Sequence, residues 1–377
     1  LLNKMVSVEK IINTLKSKNI NFFTGVPDST LKLLIKKIDK TNGAKHYPAF
    51  NEGSAISLGI GYNLATSRMP CVYLQNSGLS NAINPLISIA HKKVYSIPML
   101  LIIGWRGSPS QNPDEPQHNV KGKITPDILN LLNIKYRVLR TDKDLDKIKK
   151  LINYGIKNKQ PVACLIERNI LIDRSVSRVE QNKKINIRSD ISRENVIINL
   201  LNEIKKNSKI ISTTGYTSRE LHQLRKIHKL KKGKDFYMVG GMGHSSMVAL
   251  GLSLSTKNPI ICLDGDGSLL MHLGSLRSAG LFGQKNYIHI LLNNASHESV
   301  GGQSTFSQNF KFNDMAKIAG YKKVYSINKL SKLKLTLKKI IKSSGPSFLE
   351  IKIKPGAISN LKRPKDFIKI KKIFKSS

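Results

Sequence analysis

The sequence predicts an α/β protein of two domains, each a mostly parallel sheet flanked by helices, with no middle domain. Three features predict it: short apolar runs without strict alternation, amphipathic stretches between them, and one polar interruption near the middle of the 377 residues. Strands buried on both faces read as continuous apolar segments, and a parallel sheet needs a crossover, usually a helix, to bring the chain back for each new strand.

Runs at 21–24, 70–75, 98–104 and 161–167 supply strands for a first domain, residues 1–172. From 173 to 190 the apolar period lapses into Arg, Ser, Asn and Lys, the composition of a linker. A second domain, 191–361, repeats the pattern with strands at 209–212, 235–239, 259–263, 287–292 and 347–353. Stretches 194–205 and 329–341 carry apolar residues at steps of three and four, as helices covering a sheet do. The Lys-rich tail, 362–377, is expected to be loosely ordered and solvated.

The chain carries 63 Lys and Arg against 24 Asp and Glu, a formal charge of +39. The basic residues are scattered and aromatics make up only 6%, so no stacking platform accompanies the charge. Solvated lysine faces are expected rather than a nucleic-acid surface, with a positive field suited to drawing in a small anionic substrate. Cys71, Cys164 and Cys262 are far apart and set in mostly apolar runs, as buried thiols of a reducing compartment are. No apolar run approaches the roughly 20 residues of a membrane span, and no secretory leader is visible. A cytoplasmic protein without membrane contact is therefore expected.

The chemistry concentrates at one corner. The strand at 261–263 runs into Asp264-Gly265-Asp266-Gly267-Ser268, with a helical pattern from Leu269. The glycines allow close approach by a ligand, and Ser268 is placed to cap the helix, a corner that suits a diphosphate. The 25 residues from Ser268 to Leu292 hold a crossover and one further strand, which ends at Asn293-Asn294. A right-handed crossover brings both carboxyl ends to the same sheet edge, where Asp266 and Asn294 can converge on a hard cation such as Mg²⁺.

Gly-Asp-Gly followed by this spacing and an Asn pair resembles the signature of thiamine-diphosphate enzymes. The resemblance implies two cofactor-binding domains, an N-terminal one for the pyrimidine and a C-terminal one for the diphosphate. It implies metal ligation by Asp266, Asn294 and the Ser296 carbonyl, and cofactor contacts from Gly267 and Ser268. Gly240-Gly241-Met242-Gly243 is similar to the segment that props the cofactor, with Met242 as the apolar wedge and Gly240 as the acceptor. Glu52, at the start of a helix expected over 54–65, taken alone is only a dipole partner. The resemblance makes it the carboxylate that hydrogen-bonds the aminopyrimidine and supports loss of the thiazolium C2 proton. Ser77 and Gly78 line the pyrimidine side, and Thr214 and Gly215 supply a second diphosphate contact.

Gly25-Val26-Pro27-Asp28-Ser29, Asp114-Glu115-Pro116-Gln117-His118 and Gly241-Met242-Gly243-His244 resemble the phosphonopyruvate decarboxylase branch of the decarboxylases, with the sulfopyruvate decarboxylases close by. The chain departs from that pattern at Gly241, where Ser is expected, and at Ser80, where Gly is expected. Within this reading Asp28 and His118 bind substrate and transfer protons. Arg106, following a strand, binds the substrate's terminal anion; read alone, Arg106 and His118 are equally ordinary loop residues. The family places its active sites at subunit interfaces, which implies a homodimer or larger homo-oligomer. A carboligase of the acetolactate type and a basic nucleic-acid-binding protein with degenerate motifs are the competing readings; the missing middle domain opposes the first, and joint retention of Glu52, Asp266 and Asn294 the second.

Overall fold

A computed structural model describes residues 5–173 and 187–376. The chain divides into two compact units, meeting between residues 180 and 181. Most of the linker expected at 173–190 lies outside the described residues.

The first unit holds a six-stranded parallel sheet in the spatial order Lys45–Pro48, Phe22–Gly25, Cys71–Gln75, Leu100–Trp105, Val162–Glu167, Lys135–Leu139. The second holds another, in the order Lys234–Tyr237, Lys209–Ser212, Ile260–Gly265, Tyr287–Asn293, Ser347–Lys352, Lys323–Ile327. Ranked along the chain, both sheets run second, first, third, fourth, sixth, fifth. The two units share one topology.

Central strands such as Leu100–Trp105 and Tyr287–Asn293 are buried along their whole length, so they stand out as apolar runs. Edge strands Lys45–Pro48, Lys135–Leu139 and Lys323–Ile327 have exposed or half-buried positions and polar residues, which is why the apolar pattern did not isolate them. Helices cover both faces of each sheet, and apolar clusters fill the layers between.

The tail differs from expectation. Phe367–Lys375 is a helix; its Phe374 is only 7% exposed and packs by Phe236, while Lys209 Nζ donates to the Phe374 carbonyl. The lysines of this segment alternate with Phe367, Ile368, Ile370, Ile373 and Phe374; Phe374 is its buried residue and Ile370 packs partly buried against a core cluster, which docks the helix.

All three cysteines are buried free thiols. Among the described residues no helix is long and apolar enough to cross a membrane.

Candidate functional site

In a doubly wound sheet, ligands bind beyond the carboxyl ends of the strands, where neighbouring connections leave on opposite sides. Each unit has such a switch point between its first and third strands. In the first, it lies between Phe22–Gly25 and Cys71–Gln75; in the second, between Lys209–Ser212 and Ile260–Gly265. A side-chain hydrogen bond spans each one. Gln75 Nε2 donates to Asp28 Oδ1, and Thr213 Oγ1 donates to Ser268 Oγ at 2.9 Å.

The residues singled out in the sequence fall at these carboxyl edges. In the first unit Asp28 follows the strand Phe22–Gly25, Glu52 follows Lys45–Pro48, Ser77 and Gly78 follow Cys71–Gln75, and Arg106 follows Leu100–Trp105. His118 lies half-buried in the first turn of the helix Pro116–Leu131 that comes next. In the second unit Thr214 and Gly215 follow Lys209–Ser212, Gly240 and Met242 follow Lys234–Tyr237, Asp266 to Ser268 close Ile260–Gly265, and Asn294 and Ser296 follow Tyr287–Asn293.

Glu52 opens the helix Glu52–Thr66, with Asn51 as N-cap accepting from Gly53 N at 2.8 Å. Its carboxylate is buried and accepts from Asn81 Nδ2 at 2.8 Å. Gly78 packs against it so closely that a Cβ there would overlap Glu52 Oε1. Burial raises the carboxyl above its usual range; the Asn81 hydrogen bond and the field of Lys121 pull partly the other way.

Asp28 is buried as well, accepting from Thr30 N and Leu31 N at 3.0 and 3.1 Å besides Gln75. A Cβ on Gly104 would overlap its Oδ2. Burial raises its pKa against these hydrogen bonds and the charge of Arg106. Ser77 Oγ donates to Gln75 Oε1 at 2.7 Å, so Ser77, Gln75 and Asp28 form one chain.

Arg106 is not an open cation. Its Nε and Nη2 donate to the two Asp114 carboxylate oxygens at 2.9 and 2.6 Å, a bidentate pair that occupies most of the fork. What remains for an incoming anion is the Nη1 edge.

In the second unit Asp266 is buried, and Oδ2 accepts from Thr305 Oγ1 and from Ser307 Oγ, the latter at 2.7 Å. Burial raises its carboxyl, with those two hydroxyls opposing. The Asn pair holds a left-handed turn at Ala295, φ 53°: Asn293 Oδ1 accepts from Ala295 N and Asn294 Oδ1 from Ser296 N, each at 3.1 Å. Asn294 Nδ2 donates to Glu298 Oε2 at 2.6 Å. Ser296–His297 pairs antiparallel with Gln303–Ser304, a small hairpin whose return brings Thr305 and Ser307 to Asp266.

Ser268 does not cap its helix as expected. That helix begins at Asp266, and the Ser268 hydroxyl accepts instead from Thr213 Oγ1 and from Gly243 N at 3.1 Å, tying three strand ends together. Thr214 is half-buried, and Gly215 has φ 95° at the start of the helix Tyr216–Ile227. Gly240 and Met242 sit half-buried in the turn before the helix Ser245–Ser255. A Cβ on Gly267 would lie 2.6 Å from the His297 ring, whose pKa burial pushes down to about 4.

The carboxylate, amide oxygen and backbone carbonyl offered by Asp266, Asn294 and Ser296 are all hard oxygen donors, the chemistry Mg²⁺ prefers. A buried Cys262–Asp264–His289 group lies within the neighbouring strands, but Asp264 caps Gly265 N and His289 Nδ1 bonds to Tyr321 Oη at 2.9 Å, so it reads as a core polar pair. Gln75 and Asn81 lie in the stretch read from sequence as lining the pyrimidine side, without individual roles; Gly104, Thr305, Ser307 and Glu298 were not assigned roles from sequence. Only the small polar run Gln303-Ser304-Thr305 hinted at a structured loop there.

Comparison with known proteins agrees with this geometry. Residues 5–129 match the thiamine pyrophosphate enzyme N-terminal TPP binding domain, and residues 213–351 match the corresponding C-terminal TPP binding domain. Phosphonopyruvate decarboxylase of Streptomyces viridochromogenes is 31% identical over 373 residues, spanning 96% of this chain and 92% of its own. That of Streptomyces hygroscopicus is 31% identical over 376 residues, spanning 96% and 91%. Sulfopyruvate decarboxylase of Methanosarcina acetivorans is 25% identical over 370 residues, spanning 92% and 91%.

Proposed function

The chain belongs to the thiamine-pyrophosphate-dependent decarboxylases, and from that premise we propose that it converts 3-phosphonopyruvate to phosphonoacetaldehyde and CO₂, a step of phosphonate biosynthesis. The observation that carries the substrate is the 31% identity to phosphonopyruvate decarboxylases over nearly the whole of both chains, against 25% for the full-length sulfopyruvate relative.

When bound, thiamine diphosphate supplies an electron sink for the pair released as CO₂ leaves a 2-oxo acid. The protein's part is to hold, shield and exchange protons. In our reading Glu52 hydrogen-bonds the pyrimidine, kept in place by Asn81 and by the absence of a side chain at Gly78. Ser77 and Gly78 line the same side. Thr214, Gly215, Gly267 and Ser268 contact the diphosphate, Gly240 accepts from the aminopyrimidine and Met242 wedges the cofactor's bend. Asp266, Asn294 and Ser296 hold Mg²⁺.

Asp28 is buried at this edge, and desolvation raises its pKa, the direction that favours its holding a proton for delivery to the reacting carbon. His118 shares that task from the next helix. Arg106 binds the phosphonate through the edge that Asp114 leaves uncovered. The site is shared between subunits of a homodimer or larger homo-oligomer in the cytoplasm; the exposed apolar side chains Leu58, Leu64, Leu281 and Phe282 support such assembly.

The test is CO₂ release from phosphonopyruvate, sulfopyruvate and pyruvate, each with and without thiamine diphosphate and Mg²⁺. Cofactor-dependent release favouring phosphonopyruvate is expected; preference for sulfopyruvate reassigns the substrate, and acetolactate formed from pyruvate reassigns the reaction to a carboligase. Light scattering on the active species checks assembly, and an active monomer would overturn the shared site.

A further inference from the structure

Asn294 has an amide with two chemically different ends, and only its oxygen can ligate a cation. The side chain that holds its nitrogen end is Glu298. Its Oε2 accepts from Asn294 Nδ2 at 2.6 Å and from Arg193 Nη2 at 2.5 Å, and its Oε1 accepts from Gly356 N. The Glu298 carboxylate oxygen accepts from the NH₂ end of Asn294, and Ser296 N donates to Oδ1 at 3.1 Å, so the two contacts between them set which end of the amide is which. Arg193 is itself 5% exposed and spends its other edge on Glu220 Oε1 at 2.9 Å and the Gly356 carbonyl at 3.1 Å. Glu220 is 1% exposed and meets Arg193 at Nη1, while Glu298 meets it at Nη2.

The arrangement spans 105 residues of sequence, from the helix Arg193–Glu203 to the short turn Glu298–Val300. Burying a Glu–Arg–Glu group is a poor way to gain stability, since desolvation consumes most of the Coulombic gain. Its place beside Asn294 gives it a different use.

We propose that Glu298, anchored by Arg193 and Gly356 N, is the positioning residue for the metal site: it holds the Nδ2 end of the Asn294 amide so that Oδ1 stays available to the cation. This rests on the reading of Asn294 as a metal ligand. Outer partners of this kind commonly account for about 10- to 100-fold in metal affinity. In E298Q the replacement amide can offer its oxygen or its NH₂ group, so the hold on the Nδ2 end weakens and Asn294 is left fixed by Ser296 N alone.

The experiment is a Mn²⁺ titration of the full chain with thiamine diphosphate, followed by electron paramagnetic resonance, on wild type, E298Q, N294A and E220Q, with thermal melting of each. E298Q is expected to weaken Mn²⁺ binding about 10- to 100-fold, and in turnover assays to raise the Mg²⁺ concentration needed for half-maximal rate while saturating Mg²⁺ restores most of kcat. E220Q breaks the same ion group at its far end, so it should lower the melting temperature with Mn²⁺ affinity near wild type. Equal loss of affinity in E298Q and E220Q would make the role structural and overturn the proposal. Unchanged affinity in E298Q with weakened N294A overturns it too, leaving the metal site standing; unchanged affinity in N294A removes the site reading and this inference with it. If E298Q is insoluble, E298D, which keeps the charge but withdraws it by one methylene, is read in the same way.

Discussion

Gly78 lies against Glu52 with no room between them: a Cβ at Gly78 would overlap both Oε1 and Cδ of the carboxyl group. The glycine therefore sets where the carboxylate can be. G78A is expected to leave the unit folded while reducing kcat by about 100-fold, the usual cost of moving a reacting group by an ångström. The G78A/E52Q double variant should be no slower than E52Q alone, and a full additional loss would show that Gly78 acts elsewhere.

For E52Q, kcat should fall about 10²- to 10⁴-fold with cofactor affinity largely kept. Stability should move in the opposite direction. Burial raises the Glu52 carboxyl above its unfolded value of 4.5, so ionising it costs the folded state at higher pH. The variant's melting temperature should exceed wild type above the raised folded pKa. The gain should shrink as pH falls through that value and vanish below 4.5. A pH-independent difference would remove burial of the charge as its cause.

Burial works to raise the Asp114 carboxyl, but hydrogen bonds from Arg106 and Glu115 N and the charges of Arg106 and His118 bring it down to about 2. Its stabilising contribution is complete above the unfolded value of 3.8 and disappears as pH falls toward 2. D114N should melt lower than wild type at pH 7, with the gap closing over that window. R106A should raise KM for phosphonopyruvate about 10- to 100-fold, the worth of a charge-assisted hydrogen bond, while KM for pyruvate stays nearly constant. Equal losses on both substrates would place Arg106 in the scaffold alone.

Dialysis against a chelator should abolish turnover, and Mg²⁺ should restore it. D266A should not be restored by Mg²⁺ at concentrations that saturate wild type. Activity surviving exhaustive chelation, with metal content checked by mass spectrometry, would contradict the oxygen-donor site.

The docked tail gives a prediction free of catalysis. F374A removes a buried ring and should destabilise the chain by about 3 kcal/mol in denaturant melts, since the Phe374 ring packs by Phe236 and lies under Lys209 Nζ, 5.0 Å from the ring centroid. A near-zero change would return the tail to the solvated state that its lysines suggest.

Much of the site was legible because strand ends are local features. Asp266 closes its strand, Asn294 follows its own, and Glu52 begins a helix behind an Asn cap; each needs only a few neighbouring residues to be recognised. The edge strands and the tail helix were less legible, since mixed polar and apolar positions resemble exposed loops until a partner strand or a pocket for Phe374 is supplied.

By itself the sequence determined the two-part α/β plan, the positions of the buried strands along the chain and the residues that follow their carboxyl ends, because apolar periodicity and turn chemistry are short-range. Only the tertiary structure decided what those residues do to one another. Thr305 and Ser307 reach Asp266 across 39 and 41 residues, and Arg193 reaches Glu298 across 105. Hydrogen bonding and close packing depend on distance and direction in space, and a linear pattern records neither for groups that the chain brings together from far apart.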